Sequence, residues 1–160
     1  MQLSSKGARG MGRVGACLAF ASSAVVLAGS PPALALQDGA QFTVALADQE
    51  NVNGGDTDGQ ASARLDLDPQ RGMACYEITW KKLDGMVTAF HLHAGQRGTN
   101  GPHWIDFFND QRFDGEQSKA SDCVRSTREN IEAVINDPSA YYLQIHTTAF
   151  EDGAIRGQLG

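Results

Sequence analysis

The sequence predicts an all-β domain, an antiparallel sandwich or partly closed barrel with one short helix, on three observations. Apolar and polar residues alternate with period two through most of the chain after residue 40, the pattern of strands buried on one face. The alternating runs are short and separated by turns rich in Gly, Asn and Asp, as in sandwiches and barrels. Only one stretch, residues 126–138, carries a helical apolar stripe between a capping pair and a proline.

Residues 1–35 read as a signal peptide ahead of a single domain over 36–160. A basic stretch (Lys6, Arg9, Arg13) precedes an apolar run from Val14 to Ala28, and Ala33-Leu34-Ala35 supplies a small-x-small cleavage pattern. A membrane span needs roughly 20 predominantly apolar residues. This run is shorter and is broken by Ser22, Ser23 and Gly29. Cys17 lies inside it without a lipidation box, and nothing later in the chain is apolar enough to span.

The strands follow in order. Phe42, Val44 and Leu46 form the apolar face of the first. A turn-rich loop, Asn51 to Gly59, leads to a second with Ala61, Ala63, Leu65 and Leu67 on one face. Ala74, Tyr76, Ile78 and Trp80 mark a third, with Cys75, Glu77 and Thr79 opposite. In a fourth, about Met86 to His93, Phe90 and Leu92 turn one way and His91 and His93 the other. A Gly-rich connection (Gly95, Gly98, Gly101) leads to an apolar segment, His103 to Phe108, and a polar stretch to about Ala120. Ser126 and Glu129 then suggest a capping box, Ile131, Val134 and Ile135 give the helical stripe, and Pro138 stops it. A closing hairpin alternates Tyr141, Leu143 and Ile145 with Tyr142, Gln144 and His146, turns at Glu151-Asp152-Gly153, and returns through Ile155 and Leu159.

The net charge is −6, and removing the leader, with three basic groups and no acidic one, takes it to −9. Such an acidic domain lacks the Lys and Arg that replace counterions on nucleic acid or bind anionic lipid. No nucleic-acid partner and no membrane span after cleavage are expected. Cys75 and Cys123 remain, an even pair that closes into a disulfide in an oxidising compartment. That bond would contribute about 3–4 kcal/mol through the unfolded state. Free thiols acting as metal ligands are the competing reading, without Cys-x-x-Cys spacing to support it.

The four histidines, His91, His93, His103 and His146, carry the chemistry worth weighing. A His-x-His pair on a strand points both imidazoles to one face, and a third from a neighbouring strand would complete a site for copper or zinc. His146 has the right parity, facing away from Leu143 and Ile145. The same histidines could instead hydrogen-bond to backbone or acidic groups and stiffen the sheet. His103 reads either as a fourth ligand or as a surface residue on a Gly-Pro turn. Asp56-Thr57-Asp58-Gly59 lacks the further acidic ligands of a calcium loop and reads as a solvated turn. There is no nucleophile elbow, no phosphate-cradling glycine loop and no cysteine poised beside a histidine, so an enzyme that uses a nucleophile is not expected.

Ala89-Phe90-His91-Leu92-His93-Ala94-Gly95, Asn100-Gly101-Pro102, Tyr141-Tyr142-Leu143-Gln144-Ile145-His146-Thr147 and Gly153-Ala154-Ile155-Arg156-Gly157-Gln158-Leu159 resemble the successive motifs of the CHRD domain. That module is named from chordin and is found alone in many exported bacterial proteins. The resemblance covers nearly all of residues 40–160. It implies a Greek-key β-sandwich, immunoglobulin-like or similar to that of copper-zinc superoxide dismutase, in an extracellular domain with no general enzymatic activity. The dismutase likeness would make His91, His93 and His146 copper ligands and Arg156 a cation that draws in a small anion. The chain lacks that enzyme's bridging histidine motif and its zinc loop, so dismutation is not expected. Arg156 otherwise reads as a structural charge, paired with Glu151 or Asp152 or bonded to carbonyls.

Two functions follow as expectations. The first is a secreted or periplasmic, non-enzymatic binding or structural module that meets an extracellular protein or matrix partner. The alternative is a copper- or zinc-binding protein, in storage, delivery or redox chemistry, with His91, His93 and His146 as ligands and His103 as an optional fourth.

Overall fold

In a computed structural model the described residues are 38–113 and 117–160. The expected signal peptide, 1–35, lies outside them. The alternating runs form strands β1 (Ala40–Ala47), β2 (Gln60–Asp68), β3 (Met73–Lys81) and β4 (Val87–Ala94), then β5 (His103–Phe108), β6 (Lys119–Arg125), β7 (Tyr141–Thr147) and β8 (Ile155–Gln158). They make one antiparallel sheet in the order β5-β4-β7-β8-β1-β2-β3-β6. Its end strands, β5 and β6, touch, so the sheet is nearly closed. With β3 beside β6 and β4 beside β7, the two long connections interleave in Greek-key fashion. The all-β prediction holds, and the layers expected of a sandwich are opposite walls of one sheet.

The inward faces are those the alternation marks. Val44, Leu46, Leu65, Leu67, Ile78, Phe90, Leu92, Leu143 and Ile145 are all buried. Tyr76, Phe90 and Phe107 fill the wall near the seam, with ring centroids 4.9 Å apart for Phe90 and Phe107 and 5.1 Å for Tyr76 and Phe107. The predicted disulfide joins Cys75 and Cys123, which stand directly opposite each other on β3 and β6.

Two local readings need correction. The helix α1 (Arg128–Asn136) is capped by Thr127, whose Oγ1 accepts from the Asn130 amide at 3.1 Å, and not by Ser126 with Glu129. The Ser126 amide donates instead to the Gly72 carbonyl, which holds Ser126 in the extended chain leaving β6 and moves the cap on by one residue. Asp56 is not part of a solvated turn. It is 2 % exposed, and its carboxylate accepts from the amides of Gly59 at 3.1 Å and Asp84 at 2.6 Å. It thereby ties the β1–β2 loop to the β3–β4 turn. Strand β6, which begins at the end of the polar stretch, carries no buried alternation to mark it, because none of its residues is fully buried.

One departure from simple alternation positions the site. On β2 and β3 the outward residues are mostly exposed, but β4 and β7 are buried on both faces. Part of the cover comes from the β4–β5 connection, residues 95–102, and part from Asn51, Asn109 and the turn at residues 151–153. The Arg156 guanidinium donates to the carbonyls of Thr99 at 2.7 Å and Gln96 at 3.0 Å, and the Gln158 amide donates to the Gly95 carbonyl at 3.0 Å. Charged and amide groups of β8 thus hold that loop down.

Candidate metal centre

Strand pleating and register bring the histidines together. His91 and His93 leave β4 on the face opposite Phe90 and Leu92, and β7 lies beside β4 with Ala89 opposite His146 and His93 opposite Tyr142. The ring centroids of His91 and His146 are 4.9 Å apart, those of His91 and His93 5.6 Å, and those of His93 and His146 5.9 Å. One nitrogen from each of the three lies within 4.8 Å of the others.

Each ring has one nitrogen engaged and one without a partner. His91 Nε2 pairs with Asn109 Oδ1, a contact in which the imidazole N–H donates. His93 Nδ1 donates to the Gly101 carbonyl at 3.0 Å, and His146 Nδ1 to the Glu151 carbonyl at 2.8 Å. The opposite nitrogens, His91 Nδ1, His93 Nε2 and His146 Nε2, are buried with no hydrogen-bond partner among the described residues. The acceptors fix each tautomer so that the unpartnered nitrogen presents a lone pair, which is how metal-binding histidines are oriented. Burial pushes the pKa of His91 and His93 down to about 4, aided by the neighbouring imidazoles, and burial also lowers that of His146. All three are therefore neutral at pH 7, the form that can ligate.

His103, on β5 directly opposite His93, also joins the group. Its centroid is 4.0 Å from that of His91 and 4.7 Å from that of His93, and its Nδ1 lies 2.9 Å from Asp106 Oδ1. It is half exposed at the start of β5, just after Gly101-Pro102, with its ring against the other imidazoles. Asp106 Oδ1 is also 3.8 Å from His91 Nε2. A cleft of about 360 Å³ reaches the cluster, lined by His91, His103, His146, Arg112, Thr148 and Glu151.

Arg156 lies elsewhere. It is 0 % exposed, with its guanidinium carbon 3.4 Å from the centre of the Tyr142 ring, and Tyr142 in turn stacks on His93 at 4.8 Å with the rings 9° apart. The partners come from the strands on either side of β7, so imidazole, phenol and guanidinium form one row across β4, β7 and β8. Arg156 bonds to carbonyls, as one reading of the sequence allowed, and it cannot meet a solvent anion. The supporting residues Asn109, Asp106, Gly101 and Tyr142 were not singled out as site residues. Only the Asn100-Gly101-Pro102 and Tyr141-Tyr142 motifs pointed near two of them.

Compared with known families, residues 42–159 match the CHRD domain. No curated protein and no solved structure gave a match.

Proposed function

The chain belongs to the CHRD domain family, and from that premise we propose that it is a non-enzymatic binding module whose ligand is a copper or zinc ion held by His91, His93 and His146. One observation carries this reading: three imidazoles from two strands bring one nitrogen each within 4.8 Å of the others, and each ring has one nitrogen anchored and one buried without a hydrogen-bond partner among the described residues. A structural role would favour engaging both nitrogens, because a buried polar atom left without a partner costs about 1–3 kcal/mol, and here three such atoms belong to one cluster of rings. Neutral imidazoles suit copper and zinc, whereas calcium and magnesium take oxygen ligands. Asp106 and Glu151, the latter beside the cleft, would partly offset the charge of the bound ion.

The reading includes export. Residues 1–35 would direct the chain out of the cytoplasm as a signal peptide, and the −9 domain would act in the periplasm or outside the cell, where a protein or matrix partner would meet it. It does not extend to dismutation, because the cation that would guide an anion, Arg156, is covered by Tyr142 and bonded to carbonyls.

Calorimetric titration of the purified protein with Cu(II) and Zn(II) tests the proposal. One equivalent bound with a dissociation constant near or below micromolar is expected, and binding is expected to be lost in a folded His91→Ala, His93→Ala double variant. Equal binding by both proteins, or by neither, would overturn it.

A further inference from the structure

We propose that His103 is the fourth ligand of this centre and its exchangeable outer one, through which a copper or zinc ion enters and leaves the three buried imidazoles. The inference rests on the three-histidine reading above and adds to it a ligand of different character.

His103 follows the same rule as the other three rings. Its Nδ1 is engaged by Asp106 Oδ1 at 2.9 Å, so Nε2 is the atom it can offer a metal; its ring lies against both His91 and His93, and one ligand atom each from His91, His103 and Asp106 lies within 4.8 Å of the others. A carboxylate on the far nitrogen of a histidine is the usual support of a metal ligand.

What differs is how firmly the ring is held. His91 and His93 are 3 % and 5 % exposed, and they sit on β4 between two paired strands. The His103 side chain is 50 % exposed and its anchor Asp106 49 %, both on the end strand β5, which is laddered on one side only. The β4–β5 ladder is irregular there, with a register shift between Leu92 and His93, the residue opposite His103. His93 and His146 are anchored by backbone carbonyls and the buried His91 by the Asn109 side chain, whereas the anchor of His103 is a half-exposed carboxylate. His103 also lines the cleft that connects the cluster to solvent. A ring that is half exposed, side-chain anchored and on a bulged end strand can rotate outward with Asp106 while the buried rings keep their own anchors on Asn109, Gly101 and Glu151.

The test uses the purified protein, loaded with Cu(II) for electron paramagnetic resonance and with Zn(II) for competition against a chelator. The variants are His103→Gln, whose amide still offers a donor to Asp106, and Asp106→Ala. Wild type and both variants are expected to take one equivalent of metal. The Cu(II) spectrum of His103→Gln should lose the coupling of one nitrogen. Its Zn(II) affinity should fall at least about tenfold, the lower end of what loss of a ligand's supporting partner costs. Zn(II) should also pass to the chelator faster, with Asp106→Ala moving the same way by less. Unchanged spectra, affinity and release rate in His103→Gln would overturn the fourth-ligand assignment and leave the three-histidine centre standing. Absence of binding in the wild type would remove both.

Discussion

At the scale of single residues, the histidines that make the site also make the metal-free protein sensitive to acid. The folded-state pKa values of His91 and His93 lie near 4 and that of His146 is also lowered, below the ordinary 6.5 of an unfolded chain. Between those values the unfolded chain binds more protons than the folded one. Stability from these groups is therefore complete above about pH 6.5 and is lost as the pH falls toward 4, with each extra proton adding about 1.4 kcal/mol per pH unit to the slope. Urea midpoints of the metal-free protein at pH 7, 6, 5 and 4 should fall steadily, and His91→Ala, His93→Ala should flatten the trend. A wild-type midpoint that stays level over this range would contradict the burial of neutral rings. Tyr142 gives a second residue-scale expectation, since its ring separates His93 from Arg156. Tyr142→Ala should cost about 3–5 kcal/mol, the range for a deleted buried aromatic, and uncover a buried cation. Tyr142→Phe keeps the stack, removes only the acceptor of the Gly101 amide, and should cost about 1 kcal/mol by thermal or urea unfolding. The facing of these side chains was legible because parity on a strand is a local property. Their hydrogen-bond partners were not, since Asn109 and Gly101 reach the rings only through the way β5 and the loop before it settle on β4.

At the scale of elements, the loop between β4 and β5 decides the geometry of the site. Gly101 holds both ends of the contact: its carbonyl accepts from His93 and its amide donates to Tyr142 Oη at 3.2 Å. A Cβ built on Gly101 would stand 1.5 Å from the Ala94 carbonyl oxygen, a backbone atom that has no room to yield. Gly101→Ala should therefore displace the loop and free His93, lowering metal affinity about 10- to 100-fold, as losing an orienting partner does. Titration of that variant beside the wild type checks it, and an unchanged affinity would show that the loop does not position His93. The helix offers a milder case: Thr127→Ala should cost about 0.5–2 kcal/mol through loss of its cap, while Ser126→Ala, the cap suggested by sequence pattern, should cost less. The one-residue error has a plain origin. Ser126 and Thr127 are both competent caps, and only the bond from the Ser126 amide to Gly72, more than fifty residues back in the chain, selects between them.

At the scale of the whole molecule, the sheet has two unlike parts. Strands β1, β2, β3 and β6 keep outward faces open to solvent, whereas β4 and β7 are covered and carry the histidines with β5 and β8 alongside. The disulfide belongs to the first part, where it fastens the exposed strand β6 at the seam. It spans a sequence separation of 48 residues. Reduction should lower stability by about 2–4 kcal/mol. Unfolding with and without reductant should show this shift, and an unchanged midpoint would mean that the β3–β6 ladder needs no fastening. The existence of most strands was legible, but their order was not, because β3 finds β6 and β4 finds β7 across long stretches of chain. The order has a further consequence for assembly. β8 is the last of the eight strands to leave the ribosome, yet it lies in the middle of the sheet between β7 and β1. The two parts can form piecemeal, but the pairing that unites them needs residues 155–158. A chain truncated before Ile155 should therefore stay open to protease, with His93 and Tyr142 lacking the guanidinium that completes their row.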